Sequence, residues 1–555
     1  MSADGGPVSC AVGLPLEELL QIANQATVQT ISAQQYATLS RWIHWSARVR
    51  DALQSKDASI NRLRRIAFGA TTEKTRAVLG QDRSNRVESQ EDGVTDTDVT
   101  GKKGAPCKAK RRGHGRHCAA AYTGAPRVKI PHPHLLHADR CPACNSGKVR
   151  LQKPVTHIHL HAAAPVQGKV IECERLRCDL CGEMFVAPPP PEAQKKYDES
   201  VAARVAIQTY RMGVPLNASA QLQGICGIPL PAGTQYGLAA GAARTVEPVV
   251  KELIRRAANA PQVFNDDTTK KILKLTPQQR AALLGANAVH RTGGYTTGIV
   301  AQTEDAHQIA LFFTGPRHAG ENLTEVLKQR SPGLPPPLQM CDALSHNLPD
   351  QFETILCNCL SHGRRQFVEV ATHFPEQVRV ILLAFKEVYT TDTCAREQTL
   401  TPEERLQLHR QVSRPRMIQL ALWMRGLLAQ RKVEPNSGLG KAIRYLRKHW
   451  VPITRFYRIV GAAVDNNITE RALKRAIRHR RNSLFFRTLN GARVGDTFMT
   501  IIHSAELNRV DPFDYLVMLL RHPERIASAP GEWLPWNYRQ TLARRVRGDG
   551  PEPPA

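Results

Sequence analysis

No stretch of this 555-residue chain approaches the roughly 18 to 20 apolar residues that a membrane span requires. The best candidate, MIQLALWMRGLLA, is broken by Arg425. The amino terminus lacks the basic and then apolar pattern of a secretory signal. Thirteen cysteines, an odd number and scattered outside two clusters, fit a reducing cytosol better than a disulfide framework. Acid is scarce where base is dense: 76 Lys and Arg against 49 Asp and Glu give a net charge of +27. Between Lys441 and Arg493 fourteen basic residues face only Asp465 and Glu470. This balance argues for a polyanionic partner, of which nucleic acid is the commonest for a soluble chain of this size. The length predicts roughly three or more folding units.

Residues 1–80 predict an amphipathic helix. Leu39, Trp42, Val49, Leu53, Ile60 and Leu63 follow a heptad interrupted at Ser46 and Lys56. A short coiled coil and a helix packed on its own domain remain equally open. Residues 81–120 are too polar to bury a core and read as a linker. Its basic run contains Lys110, Arg111 and Arg112, which suit phosphate contact or a solvated tether. Prolines 188–191 punctuate the next boundary. Residues 193–260 alternate helical patterns with Gly/Pro turns, as in a small helical domain, either helix-turn-helix-like or a plain packing unit. From residue 261 the texture changes. PQVF, YTTGIVAQ and QIALFFTG predict strands, AGENLTEVLKQR a helix, and LQMC a further strand. Helical patterns follow from Gln366 to about Arg480. The order is compatible with a mixed sheet flanked by helices, and the whole chain with a multidomain α/β protein.

Within 121–192, Cys141-Pro-Ala-Cys144 and Cys178-Asp-Leu-Cys181 stand 33 residues apart. Each pair can place two thiolates on one ion, and together they complete the tetrahedral shell that structural zinc prefers. Cys173 lies outside both pairs. In the connector, His157, His159 and His161 alternate, so a strand would carry them on one face; an exposed polar face accounts for them better than a metal site.

Nucleotidyl transfer requires divalent ions held by carboxylates drawn from distant parts of a chain. Asp266 and Asp267 follow PQVF and so sit toward the end of a predicted strand. Asp342 follows LQMC in the same manner, and Glu470 lies in the first turns of a predicted helix whose N-cap is Asp465 or a neighbouring Asn. Arg471, Lys474, Arg475 and Arg478 recur at helical spacing, with Arg480 and Arg481 beyond, as a phosphate-facing or solvated basic face. His362, Arg364 and Arg365 are further candidates for the site or for DNA.

DNNITER followed by HRRNSLFF resembles the terminal signature of the insertion sequence 66 family of bacterial transposases. RRIAFGATTEK, the paired Cys motifs, NDDT at Asn265–Thr268, CLSHGRRQF at Cys359–Phe367 and AELNRVDPFDYL match that family in the same order. The resemblance implies a DDE transposase with a ribonuclease H-like catalytic core over 261–500, a helical insertion at about 366–460, and a C-terminal helical segment and tail over 501–555. It implies Asp266, Asp342 and Glu470 as the metal-binding acids, with Asp465 as rival for the third place. It further implies Mg²⁺ or Mn²⁺ at that site beside structural Zn²⁺, double-stranded DNA of element ends and target as partner, self-association, accessory proteins of the same element, and a cytoplasmic, nucleoid-associated location. Two positions depart from the family pattern: Asp267 stands where Glu is usual, and Asp342-Ala343-Leu344 where Asp-Gly-Tyr is usual. A catalytically inactive zinc-containing DNA-binding protein and a ribonuclease H-like nuclease without strand transfer are the alternatives.

Overall fold

The computed structural model describes residues 195–285 and 291–546 continuously, with shorter stretches between 138 and 191. The heptad helix, the basic arm with Lys110, Arg111 and Arg112, the histidine trio, and Cys141, Cys144, Cys178 and Cys181 lie outside the described residues. A short antiparallel ribbon, β1 (Arg175–Arg177) and β2 (Met184–Val186), precedes three helices. These are α1 (Glu199–Ala206), α2 (Leu216–Ile225) and α3 (Ala232–Ala258). Asp198 caps α1 by accepting from the Ser200 N–H at 2.7 Å, satisfying a donor that the helix cannot. Buried Ala239, Ala242, Ala243, Val246, Val249, Leu253 and Ala257 give α3 an inward stripe at helical spacing.

Next come β3 (Gln262–Thr269), β4 (Lys271–Lys274), α4 (Pro277–Leu284), β5 (Tyr295–Gln302), β6 (Gln308–Gly315), α5 (Ala319–Leu327), β7 (Leu338–Cys341) and β8 (Ile355–Asn358). Five of these strands form one sheet in the order β6-β5-β3-β7-β8. β3, β5 and β6 run antiparallel in sequence, whereas β7 and β8 are parallel to β3 and its neighbour. The result is a mixed α/β fold, a five-stranded mixed sheet flanked by helices, compatible with a ribonuclease H-like core. Six consecutive residues of β5 are buried, Thr296 to Ala301, because helices cover both faces. The strands expected from PQVF, YTTGIVAQ, QIALFFTG and LQMC fall on β3, β5, β6 and β7. ILCN of β8 is an addition, as is the ribbon that β4 makes with the later strand Phe485–Thr488.

A helical insertion follows β8, made of α6 (Leu360–Val368), α7 (Pro375–Glu397), α8 (Pro402–Leu408), α9 (Arg414–Ala429), α10 (Gly438–Lys448) and α11 (Trp450–Ile453). It has its own apolar cluster, in which Phe367, Phe385 and Phe456 are fully buried. Each such side chain contributes about 1.5–3 kcal/mol. The sheet unit then resumes with α12 (Asn467–Ser483), β9 (Phe485–Thr488) and α13 (Leu489–Leu507).

α13 runs along the outer edge of β6. Side chains four residues apart on the helix, Asp496, Thr500, Ser504 and Asn508, accept from the backbone N–H groups of Thr314, Phe312, Ala310 and Gln308 at 2.6, 3.1, 3.0 and 3.3 Å. The last helices, α14 (Pro512–Arg521), α15 (Pro523–Ser528) and α16 (Tyr538–Val546), return the chain to the first ones, with α14 packed on α1 and α3. The helices of 199–258 thus share one compact unit with the sheet. No described helix is long and apolar enough to cross a membrane.

Candidate active site

β3 is the central strand, and its alternation sends neighbouring side chains to opposite faces. Asp266 pairs with Gly298 of β5, and Asp267 with Thr297. A Cβ on Gly298 would lie 3.0 Å from Leu473 Cδ2 and 3.6 Å from Thr469 Cγ2, so α12 rests directly on the strand where no side chain intervenes. Asp266 therefore faces α12. On the other face, the Thr297 hydroxyl accepts from the Asn322 amide of α5 at 2.8 Å.

Phe264 pairs with Met340 in the parallel register of β3 and β7. Two residues further along, the same register brings Asp266, inside β3, level with Asp342 just past the end of β7. The side-chain amide of Asn347 donates to Asp342 Oδ1, and the Leu344 N–H approaches the same oxygen at 3.3 Å. Asn347 is itself fixed from below: its carbonyl accepts from Asn265 and from Gln339, both at 2.8 Å.

α12 is tied down by the residues before it. The Asn466 amide donates to the Asn265 carbonyl of β3 at 3.1 Å, and its N–H reaches Cys359 Sγ at 3.2 Å. Asp465 accepts from the Asn467 N–H at 3.1 Å and from the Asn467 amide at 2.6 Å, so its carboxylate braces the helix start. Burial raises its pKa above the ordinary value. Glu470, one turn into α12, has a buried Oε1 without a hydrogen-bond partner. His362 of α6 holds its Nδ1 3.8 Å away, also buried and unpartnered. Donor atoms of Cys359, His362 and Glu470 all lie within 4.8 Å of one another.

The charges of Asp342 and Glu470 both reach the Asp266 carboxyl. Burial, and then the charge of Asp342, push the Asp266 carboxyl up to about 7, with Asp267 and Glu470 adding to the effect against the hydrogen bond from the Asp267 N–H. Burial and neighbouring negative charge both disfavour the ionised form of Asp266, and a cation beside it would favour that form. An orphaned carboxylate oxygen beside two crowded aspartates is a donor set that fits a hard divalent ion.

The basic face divides. Arg471, Lys474, Arg478 and Arg481 are exposed. Arg475 is turned inward to pair with Glu506 of α13. Arg480 donates to the Thr268 hydroxyl at 3.0 Å and the Thr269 carbonyl at 2.6 Å, which makes it a strut between α12 and β3. Helical spacing alone cannot separate these two roles. Nor did any spacing signal mark Asn347, whose partners come from three segments; Asn466 was visible only as part of DNN.

A family model described as Transposase IS66 family matches residues 194–494, more than half of the chain. The chain belongs to the IS66 family of transposases. The matched span carries β3, β7 and α12 and with them all three acids. Among relatives, the chain is 25% identical over 462 residues to the uncharacterised protein y4jD of Sinorhizobium fredii, covering 78% of this chain and 85% of that one. Uncharacterised protein y4hP of the same organism is 24% identical over 529 residues, covering 88% and 90%. A third, y4qI, is 29% identical over 192 residues, about a third of each chain.

Proposed function

We propose that this IS66-family transposase binds the ends of its element and catalyses metal-dependent cleavage and joining of DNA strands at Asp266, Asp342 and Glu470. The observation that supports the reading is that the buried Asp266 carboxyl, which faces α12, feels the charges of Asp342, Asp267 and Glu470. They would hold Mg²⁺ or Mn²⁺, which activates an attacking oxygen and neutralises the leaving one when bound. The chain's own residues do the rest. Asp266 sheds its proton before it can act as a ligand. Asn347 orients Asp342, and the Asn466 anchor sets the depth of Glu470. Arg471, Lys474, Arg478 and Arg481 would contact phosphates, supported by their exposure along one helix. Water would be the nucleophile for cleavage and a DNA 3'-hydroxyl for joining.

The proposal extends to the regions outside the described residues. Cys141, Cys144, Cys178 and Cys181 would hold structural zinc, Lys110, Arg111 and Arg112 would add phosphate contacts, and the amino-terminal helix would pair two copies so that two DNA ends meet. The test is a strand-transfer assay with end DNA and Mg²⁺. Joined product from the native chain, and none from Asp266→Asn or Glu470→Gln at undiminished end binding, is the expected result. Full joining by either variant overturns the assignment, and cleavage without joining by the native chain reduces it to a nuclease.

A further inference from the structure

We propose that Asp267, His318 and His346 form a second metal site, separate from the acid cluster and suited to a zinc-class divalent ion. One donor atom from each side chain lies within 4.8 Å of the other two. The three come from distant parts of the chain. Asp267 follows Asp266 on β3 but points to the opposite face, toward α5. There its Oδ2 meets His318 Nδ1 at 2.9 Å and the Ala319 N–H at 3.3 Å. The His318 ring lies between two others, 4.0 Å from the Tyr295 ring and 4.6 Å from that of His346.

This approach depends on Gly320. A Cβ there would fall 2.1 Å from the Leu348 carbonyl oxygen and 2.8 Å from that of His346. Only glycine lets the start of α5 press against the turn Ser345–Asn347 that carries His346.

Two imidazoles and one carboxylate favour zinc and its transition-metal neighbours, whereas the carboxylates of Asp266 and Asp342 favour magnesium. Ligands about 2.0–2.2 Å from one ion lie at most about 4.4 Å apart, twice the longer bond. His346 is exposed, so its ring can turn to close the remaining gap, and water can complete the shell. An ion here would tie the residue after Asp266 to the turn whose Asn347 holds Asp342. Metal binding at this trio stands whether or not the acid cluster joins DNA.

The test uses the full chain, dialysed against zinc, with zinc per chain measured by elemental analysis. His346→Ala and His318→Ala are each expected to hold one equivalent fewer than the native chain, and the zinc-induced rise in melting temperature is expected to be smaller than in the native chain. The thiolate charge-transfer band of the cobalt-substituted protein should be unchanged, which keeps the cysteine cluster out of the difference. Equal zinc in the native chain and in His346→Ala overturns the proposal. So does a loss of zinc accompanied by loss of the thiolate band. His346 is exposed, so its variant decides the matter even where His318→Ala fails to fold.

Discussion

Two buried aspartates, one at the sheet and one in the helical insertion, answer burial in opposite ways. Asp392 of α7 accepts from Arg405 at 2.8 Å, lies 3.4 Å from His409 Nε2 and pairs with Arg396 at 3.4 Å. Burial pushes its pKa up, but the His409 hydrogen bond and the Arg405 charge win and bring it down to about 2. Asp266 meets other carboxylates instead of cations and is pushed up to about 7. The insertion satisfies its charge internally and surrounds it with an apolar cluster. The sheet leaves its charge unsatisfied beside an orphaned Glu470 oxygen. One arrangement pairs its carboxylate with cations; the other gathers carboxylates around it.

The sharpest way to break this contrast is chemical. Asp266→Asn should lower strand transfer by roughly a thousandfold or more in a gel-based joining assay, with end binding within a few-fold of native. Asp392→Ala should leave half-buried Arg405 and fully buried His409 without their carboxylate, at a cost of about 1.5–3 kcal/mol read from the denaturant midpoint. A cost below about 1 kcal/mol would show that the insertion does not rely on its ion pair.

The pH profiles should run in opposite directions. The folded pKa of Asp392 is depressed, so its contribution, about 2 kcal/mol, is present above pH ~4 and is lost as pH falls toward about 2. The folded pKa of Asp266 is raised, so metal-free protein loses stability as pH rises from ~4 through about 7. Asp266→Asn should therefore melt higher than native at pH 8 without metal, and added Mg²⁺ should narrow that gap. Thermal melts of both variants across pH test the signs directly.

Smaller effects refine the sheet side. Gly298→Ala would push its Cβ onto Leu473, costing about 1 kcal/mol. Because α12 carries Glu470, activity should fall more than that loss of stability explains. Lys474→Ala and Arg478→Ala should each weaken DNA binding a few-fold and reduce the slope of log affinity against log salt by about 0.9. Arg480→Ala should instead lower stability, because that guanidinium is spent on Thr268 and Thr269.

Much of the sheet was legible because β5 and β6 are rich in β-branched, aromatic and small apolar residues and β7 ends abruptly before an acid. β8 was not: four residues, ILCN, carry too little pattern to stand out from their surroundings. Asp342 could be placed from the end of β7, and Asp266 and Glu470 from motif order; the expected strand end at Asp266 was too early, because β3 runs on to Thr269. The inward turn of Arg475 toward Glu506 and the tie from Asn265 to Asn347 depend on partners far away in sequence, which spacing cannot encode. The cluster of Asp267, His318 and His346 was invisible for the same reason.

The stripe on α13 that covers β6 has a metric consequence. Four residues of helix rise about 6.0 Å, and two residues of antiparallel strand about 6.8 Å. The two rulers nearly agree, so Asp496, Thr500, Ser504 and Asn508 can stand in for a sixth strand over the length of β6. Each step leaves a mismatch of about 0.8 Å, which over three steps reaches about 2.4 Å. A helix can therefore impersonate a strand only briefly, and the length of β6 is close to the limit at which one straight helix can close a sheet edge against stray pairing.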